Sequence, residues 1–286
     1  MLCRVMRVSL SGYYAWRRRL SKPPSLKRKK LADLVKDCYW ENRRRYGTRR
    51  IKAALSKAGV KVGRFQIRRL MQEEGLKAIQ PKSFTPRTTD SRGVAPAPNL
   101  LAQVKTQEYA AGKLIVGDIT YLPLRHGKWC YLAVWQDKVT RRIVGWSLSR
   151  EMTAEIVISA LQKALRKGLI KRGALVHSDR GSQYASNGFR FLLQTNGLRQ
   201  SMSAAGNCYD NAQAESFFSR FKAELIEGGI FEDIEQVRSE VFSYIEGYYN
   251  RVRLHSGLGY KSPLEFEMEL KTKNGGGKES FFSTFS

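Results

Sequence analysis

Little in this 286-residue chain can ligate a soft metal or close a disulfide: it has three histidines and four cysteines. Cys3, Cys38, Cys130 and Cys208 stand far apart with no paired spacing, and only His126, His177 and His255 accompany them. A structural zinc site is therefore not expected, and reduced thiols are. Long apolar runs are missing as well. Nothing approaches the ~18 residues of a membrane span, and the opening "MLCRVMRVSLSGYYAW" lacks the uninterrupted apolar segment of a signal peptide. The expectation is a cytoplasmic protein with no membrane partner. Negative charge is the third scarcity, since 25 Asp and Glu face 51 Lys and Arg, a net charge of +26. So large an excess implies a polyanionic partner.

The excess is not spread evenly. Residues 1–80 hold 23 basic and 5 acidic side chains, a balance of +18, which leaves +8 for the rest. A basic tail would do that too, but tails rarely interleave aromatics such as Tyr13, Tyr14, Trp16, Tyr39, Trp40 and Tyr46. Residues 46–76, "YGTRRIKAALSKAGVKVGRFQIRRLMQEEGL", contain two short helical patterns, one on Ile51 and Leu55 and one on Ile67, Leu70 and Met71, broken by "KAGVKVG". Thr48 is placed to cap the first, and Arg64, Gln66, Arg68 and Arg69 project from the second. That arrangement suits a helix-turn-helix with DNA-contacting arginines, against the plainer reading of a solvated helical hairpin. Ser9 is placed to cap an earlier helix. Residues 81–104, with four prolines, read as a linker. Residues 1–80 are thus expected to bind DNA, 105–270 to form the second domain, and 271–286 to be a flexible tail. The "GGGK" in that tail lacks the spacing of a phosphate loop.

After the linker, "KLIVGDITYLPL", "KWCYLAVWQDKV" and "RRIVGWSLS" read as a three-strand meander. A helix, the buried strand "ALVHSD", a second helix, a short strand and further helices follow. The fold class is α/β, a mixed sheet flanked by helices. Asp118 lies in the first strand and Asp179 at the carboxyl end of the fourth. Glu215 sits on a helix beside the apolar stripe of Phe217, Phe218, Phe221 and Leu225, and Lys222, seven residues on, falls almost in line with it. If the first and fourth strands are neighbours, the three carboxylates converge. They would suit Mg²⁺, with Mn²⁺ able to substitute, and a pair of ions could serve phosphoryl transfer. Each residue also has an ordinary reading: Asp179 as a turn residue before Gly181, Glu215 as a solvated glutamate. That reading is weakest for Asp118, whose burial inside "LIVGDITYL" would be costly unpaired. Asp137 is read as structural, in a turn. Asp210 and Asn211 are read as caps of the Glu215 helix. Tyr260 near His255 has no H-x-x-R companion, and His177, Ser178 and Asp179 are consecutive strand residues that cannot form a triad.

"GDITYL", "HSDRGSQY", "DNAQAESFFSRFKAEL" and "YYNRVRLHSGLGYKSPLEFE", with "YGTRRI", "RRLMQEEGL" and "TTDS" upstream, closely resemble the integrase-core transposases of insertion-sequence family three. The resemblance spans roughly residues 1–270. It implies a ribonuclease-H-like fold and a catalytic triad of Asp118, Asp179 and Glu215, with 35 residues between the last two. Lys222 would then contact DNA near the cleaved phosphate. Ile115 stands where the family usually has Trp. The implied activity is metal-dependent nicking of a bacterial element's end and joining of the freed 3′ hydroxyl to target DNA. The implied partners are double-stranded DNA, further copies of the chain on that DNA, and an upstream-frame protein supplying another helix-turn-helix and a leucine zipper, in a nucleoid-associated setting. A repressor derived from a transposase and a nuclease without strand transfer are the alternatives.

Overall fold

Ser9 and Ser25 each start a helix in the amino-terminal part. Helix α1 (Leu2–Val5) is followed by α2 (Leu10–Ser21), and Ser9 Oγ accepts from the Gly12 N–H at 3.0 Å, the cap anticipated above. Ser25 Oγ accepts from the Arg28 N–H at 3.3 Å and opens α3 (Leu26–Glu41), a helix the sequence reading did not identify. The computed structural model describes residues 2–21, 25–81, 97–203, 212–226 and 229–274. They divide into two units, Met1–Ile79 and Gln80–Ser286.

In the first unit α3 packs on α4 (Thr48–Lys57) and α5 (Arg64–Glu73). Its core is Val35, Cys38, Tyr39 and Tyr46 with Ile51, Leu55, Ile67, Leu70 and Met71. Both helical patterns of residues 46–76 are therefore present. Thr48 is not the cap, however: it is the first helical residue, and Gly47 takes the cap position, its carbonyl accepting from the Ile51 N–H at 3.0 Å with no side chain to help. Between α4 and α5 the chain turns through Gly59 at φ +79°, a conformation that glycine enters without steric cost. Ion pairs from Arg28 to Glu73 and from Lys36 to Glu74 tie α3 to α5.

The second unit is built on a mixed five-stranded sheet in the order β3-β2-β1-β4-β5. Strands β1 (Leu114–Pro123), β2 (Trp129–Asp137) and β3 (Ile143–Ser149) are the expected antiparallel meander. Helix α6 (Ala154–Arg166) crosses over, and β4 (Leu175–Ser178) then pairs with β1 in parallel. Short α7 (Ser182–Ala185) and α8 (Asn187–Thr195) lead to β5 (Arg199–Met202), parallel to β4. Helices α9 (Ala212–Leu225) and α10 (Ile234–Phe242) come next. The latter continues as a π-helical turn, Ser243–Tyr249, and α11 (Pro263–Asn274) closes the described chain. Ser262 and Glu265 form a reciprocal capping box at its start.

One face of the sheet packs on α6, α7 and α8 through Ile115, Trp135, Val157 and Phe189. The other packs on α9 and α10 through Leu122, Leu132, Phe217, Phe221 and Val241. Trp135 lies so close over β1 that a Cβ at Gly117 would be 2.3 Å from its ring, and its indole N–H donates to the Val157 carbonyl at 3.0 Å.

Two expected boundaries shift. The last residues of the linker are held on β5, since Ser201 Oγ accepts from the Leu100 and Leu101 N–H groups. Residues 271–274 of the expected tail belong to α11. Cys208, the caps read at Asp210 and Asn211, residues 82–96 and residues 275–286 lie outside the described residues. Cys38 and Cys130 are buried free thiols, each pushed up to about 11 chiefly by burial. Asp137 has the structural role expected of it: its carboxylate accepts from the Val139, Thr140 and Gly112 N–H groups, closing the β2–β3 turn onto the start of β1. No helix among the described residues is long and apolar enough to cross a membrane.

Candidate active site

The parallel pairing of β1 with β4 brings the first two carboxylates together. Each paired residue in that ladder, Leu114 with Leu175 through Val116 with His177, has its partner 61 positions on, and so does Asp118 in Asp179. Asp118 is half-buried within β1, its Oδ1 accepting from the next N–H, that of Ile119, at 2.8 Å. Asp179 follows β4 directly, and its Oδ1 accepts from the Gly181 N–H at 3.0 Å. A Cβ at Gly181 would come within 3.2 Å of that oxygen, so the turn leaves little room for a larger residue.

Helix α9 supplies the third carboxylate. Phe217, Phe218 and Phe221 bury one face of it, and Glu215 stands exposed in the first turn. Lys222, half-buried, is nearly two turns further along. Its ammonium lies 4.1 Å from the centroid of the Tyr121 ring.

Electrostatics tie these groups into one cluster. Burial, then the charge of Asp179 and that of Glu215, holds the Asp118 carboxyl well above the usual carboxylate range, against the opposing pull of the Ile119 N–H and Lys222. Burial and then Asp179 raise Glu215 in the same direction. Lys222 is lowered by burial, which the charge of Asp118 partly offsets. Among the described residues, no three His, Cys, Asp or Glu side chains stand close enough together to hold one ion.

His177 is buried in β4 with its two ring nitrogens bonded to Ser201 Oγ at 2.9 Å and Ser203 Oγ at 3.1 Å. The basic residues of the first unit stand apart in role. Arg64 and Arg68 are exposed on α5, Arg64 over the ring of the exposed Phe65, whereas Arg69 is held by Glu73 at 3.0 Å.

Sequence reasoning missed several residues around the site. Tyr184 feels both Asp179 and Asp118, and burial raises it well above the usual tyrosine range. Its hydroxyl is buried without a hydrogen-bond partner among the described residues. It ends the quoted "HSDRGSQY", so its place in the sequence was the available signal. On the far side of α9, Glu224 accepts from Arg253 Nε at 3.1 Å, Arg253 Nη2 at 2.8 Å and the Tyr244 hydroxyl at 2.8 Å. No spacing rule links positions 224 and 253.

Comparison with known proteins gives a consistent result. Residues 108–208 and 196–263 match families described as Integrase core domain, and residues 26–84 match one described as HTH-like domain. The Transposase InsF for insertion sequence IS3A of Escherichia coli (strain K12) is 39% identical over 270 residues, covering 93% of this chain and 92% of its own length. The Insertion element IS600 uncharacterized 31 kDa protein of Shigella sonnei is 38% identical over 265 residues, covering 93% and 97%. Among solved structures, the HTLV-2 integrase catalytic core domain in complex with magnesium aligns at 15% identity with a TM-score of 0.42, over 55% of this chain and 97% of its own. With nine-tenths of its length aligned to InsF at that identity, and with an integrase core following an HTH-like domain, the chain belongs to the transposases of insertion-sequence family three, which are polynucleotidyl transferases.

Proposed function

We propose that Asp118, Asp179 and Glu215 are the catalytic carboxylates of DNA strand cleavage and 3′-hydroxyl strand transfer, and that they hold magnesium. The observation that carries this reading is the convergence of the β1–β4 register, which continues to Asp118 and Asp179, with the charge of Asp179 acting on both Asp118 and Glu215. A cluster of like charges of this kind is stabilised by a cation, and the donors are all hard oxygens, the set that divalent magnesium prefers. Glu215 is exposed and can swing toward the two aspartates, which accounts for the absence of a ready three-ligand cluster among the described residues. Magnesium bound there, as two ions, would neutralise charge at the phosphate and lower the pKa of the attacking hydroxyl.

The chain's own residues do the rest. Asp118 and Asp179 are fixed by strand register and by the N–H groups of Ile119 and Gly181, so they define where the phosphate sits. Lys222, directed across Tyr121 toward Asp118, meets a neighbouring phosphate and orients the DNA end. The basic first 80 residues supply the duplex grip, with Arg64 and Arg68 on the exposed face of α5 and Arg69 freed from Glu73 on binding. Residues 81–104 join that module to the catalytic one at 105–270. Several copies on DNA, with an upstream-frame partner, complete the assembly.

The test is strand transfer of a labelled donor end in Mg²⁺ and Mn²⁺, with DNA binding recorded in parallel. Asp118→Asn, Asp179→Asn and Glu215→Gln are each expected to lose cleavage and joining while binding persists. Near wild-type joining by Glu215→Gln would remove it from the site. Cleavage without joining in the wild type would make the protein a nuclease.

A further inference from the structure

Trp129 opens β2, 48% exposed, on the same hairpin as Asp118 and outside every role described above. The β1–β2 ladder explains its position. Pro123 pairs with Trp129 and Tyr121 with Tyr131, so Trp129 is the diagonal neighbour of Tyr121 on the same face of the hairpin. The two rings meet edge to face, 5.0 Å between centroids and 83° between planes. Lys222 lies over Tyr121, and the exposed Lys128 directly precedes Trp129 in the chain. An aromatic pair flanked by two lysines thus lies on the hairpin that carries Asp118. Along the hairpin, Trp129 is level with Pro123, five residues from Asp118, about 16 Å at the rise of an extended strand. That distance corresponds to roughly five nucleotide steps at ~3.4 Å per step along one strand.

We propose that Trp129, braced by Tyr121, is a stacking platform for one unpaired nucleobase of the DNA end, while Lys222 holds a phosphate between that base and the reacting one. The chemistry on both sides favours this occupant. Every nucleobase offers a π-face, so an exposed indole takes it without regard to sequence, and the neighbouring ammonium groups match its phosphates. A protein partner would be served by the apolar indole but not by cations placed around it. The inference rests on the reading of Asp118, Asp179 and Glu215 as the carboxylates that act on DNA.

The test uses the full-length chain and duplexes carrying the terminal repeat that flanks its coding sequence, with binding measured in Ca²⁺. Single abasic sites are placed at each of the six nucleotides nearest the reacting phosphate, on either strand. Trp129→Ala is expected to weaken binding roughly five- to hundredfold, the range of one lost base stack of about 1–3 kcal/mol. Trp129→Phe is expected to stay within a few-fold of wild type, and Trp129→Leu, which keeps apolar bulk without a π-face, to resemble Ala. One abasic site about five nucleotides from the reacting phosphate should cost the wild type the same factor and cost Trp129→Ala nothing further. The proposal is overturned if Trp129→Ala binds like wild type, if its penalty multiplies with that of every abasic site, or if Leu performs as well as Phe. Should Ala fail to fold, the Leu and Phe variants decide between the outcomes. Joining by Asp118→Asn on the same duplexes reports on the carboxylate reading alone, so failure of one idea is separable from failure of the other.

Discussion

The Glu224–Arg253 pair allows a quantitative forecast. Both side chains are nearly closed off from solvent, 2% and 4% exposed, and the carboxylate accepts two hydrogen bonds from Arg253 and one from the Tyr244 hydroxyl. Arg253→Met strips the two charge-assisted bonds and removes the countercharge from a buried carboxylate. Charge-assisted bonds contribute about 1.5–3 kcal/mol each, and breaking one side of a buried pair typically costs about 3–5 kcal/mol. For a unit of this size, ~2–4 °C per kcal/mol makes that a fall of roughly 6–20 °C in melting temperature. Replacing the whole network, as Glu224→Met with Tyr244→Phe and Arg253→Met, removes the charges together and should recover most of the loss. Function should not recover with stability. Glu224 is nine residues from Glu215, at about 100° per residue the opposite side of α9, so the ion pair holds the back of the helix whose front carries the carboxylate and Lys222. The assay is calorimetric melting of each variant beside strand transfer per folded molecule. A single variant melting within ~2 °C of wild type, or a triple variant as unstable as the single, would refute the reasoning.

Three further changes separate packing from charge. Gly117→Ala places a methyl 2.3 Å from the rigid Trp135 ring beside Asp118 and should cost about 3 kcal/mol or more, read as a urea midpoint shift; a loss under 1 kcal/mol would show that the indole can move aside. Tyr184→Phe removes a buried hydroxyl with no bonding partner among the described residues and should be neutral or stabilising, so a fall of more than 1 kcal/mol in unfolding free energy would reveal an unrecognised partner. Glu267 is buried, which works against its charge, but Lys271 and Arg142 bond it at 2.8 and 2.7 Å and hold its carboxyl below the usual range. A depressed folded-state value means stability that is present above the unfolded value of about 4.3 and lost as pH falls through the folded one. Glu267→Gln should therefore be less stable than wild type by about 1–3 kcal/mol at pH 7 and converge with it as pH falls from about 4.3 through the lower folded-state value, and a gap independent of pH would assign the loss to packing.

The catalytic unit was legible in sequence wherever one period dominated. Alternation in "KWCYLAVWQDKV" and the stripe of Phe217, Phe218 and Phe221 gave strand and helix directly. Helix α3 was not, because its buried positions are Ala32, Val35, Cys38 and Tyr39, weak apolar signals behind the run "KRKK". The cap at Gly47 was misplaced onto Thr48 because a glycine caps with backbone alone. The Asp118 to Asp179 convergence needed the order of strands, which local pattern does not contain, and the Glu224–Arg253 pair needed tertiary packing of α9 on the loop after the π-helical turn.

The parallel β1–β4 contact also has a consequence in time. It closes a stretch of about sixty residues, and α9, which carries Glu215, follows later still, so the proposed site depends on non-local pairing that forms slowly. The first unit needs only neighbouring helices and ends at Ile79. At ~5–20 residues per second, a ribosome needs roughly 7–30 s to travel from residue 79 to residue 225. During synthesis, the basic helical unit is therefore finished well before any chain can assemble its carboxylates, and a chain broken off in that interval would carry the positive charge without the chemistry.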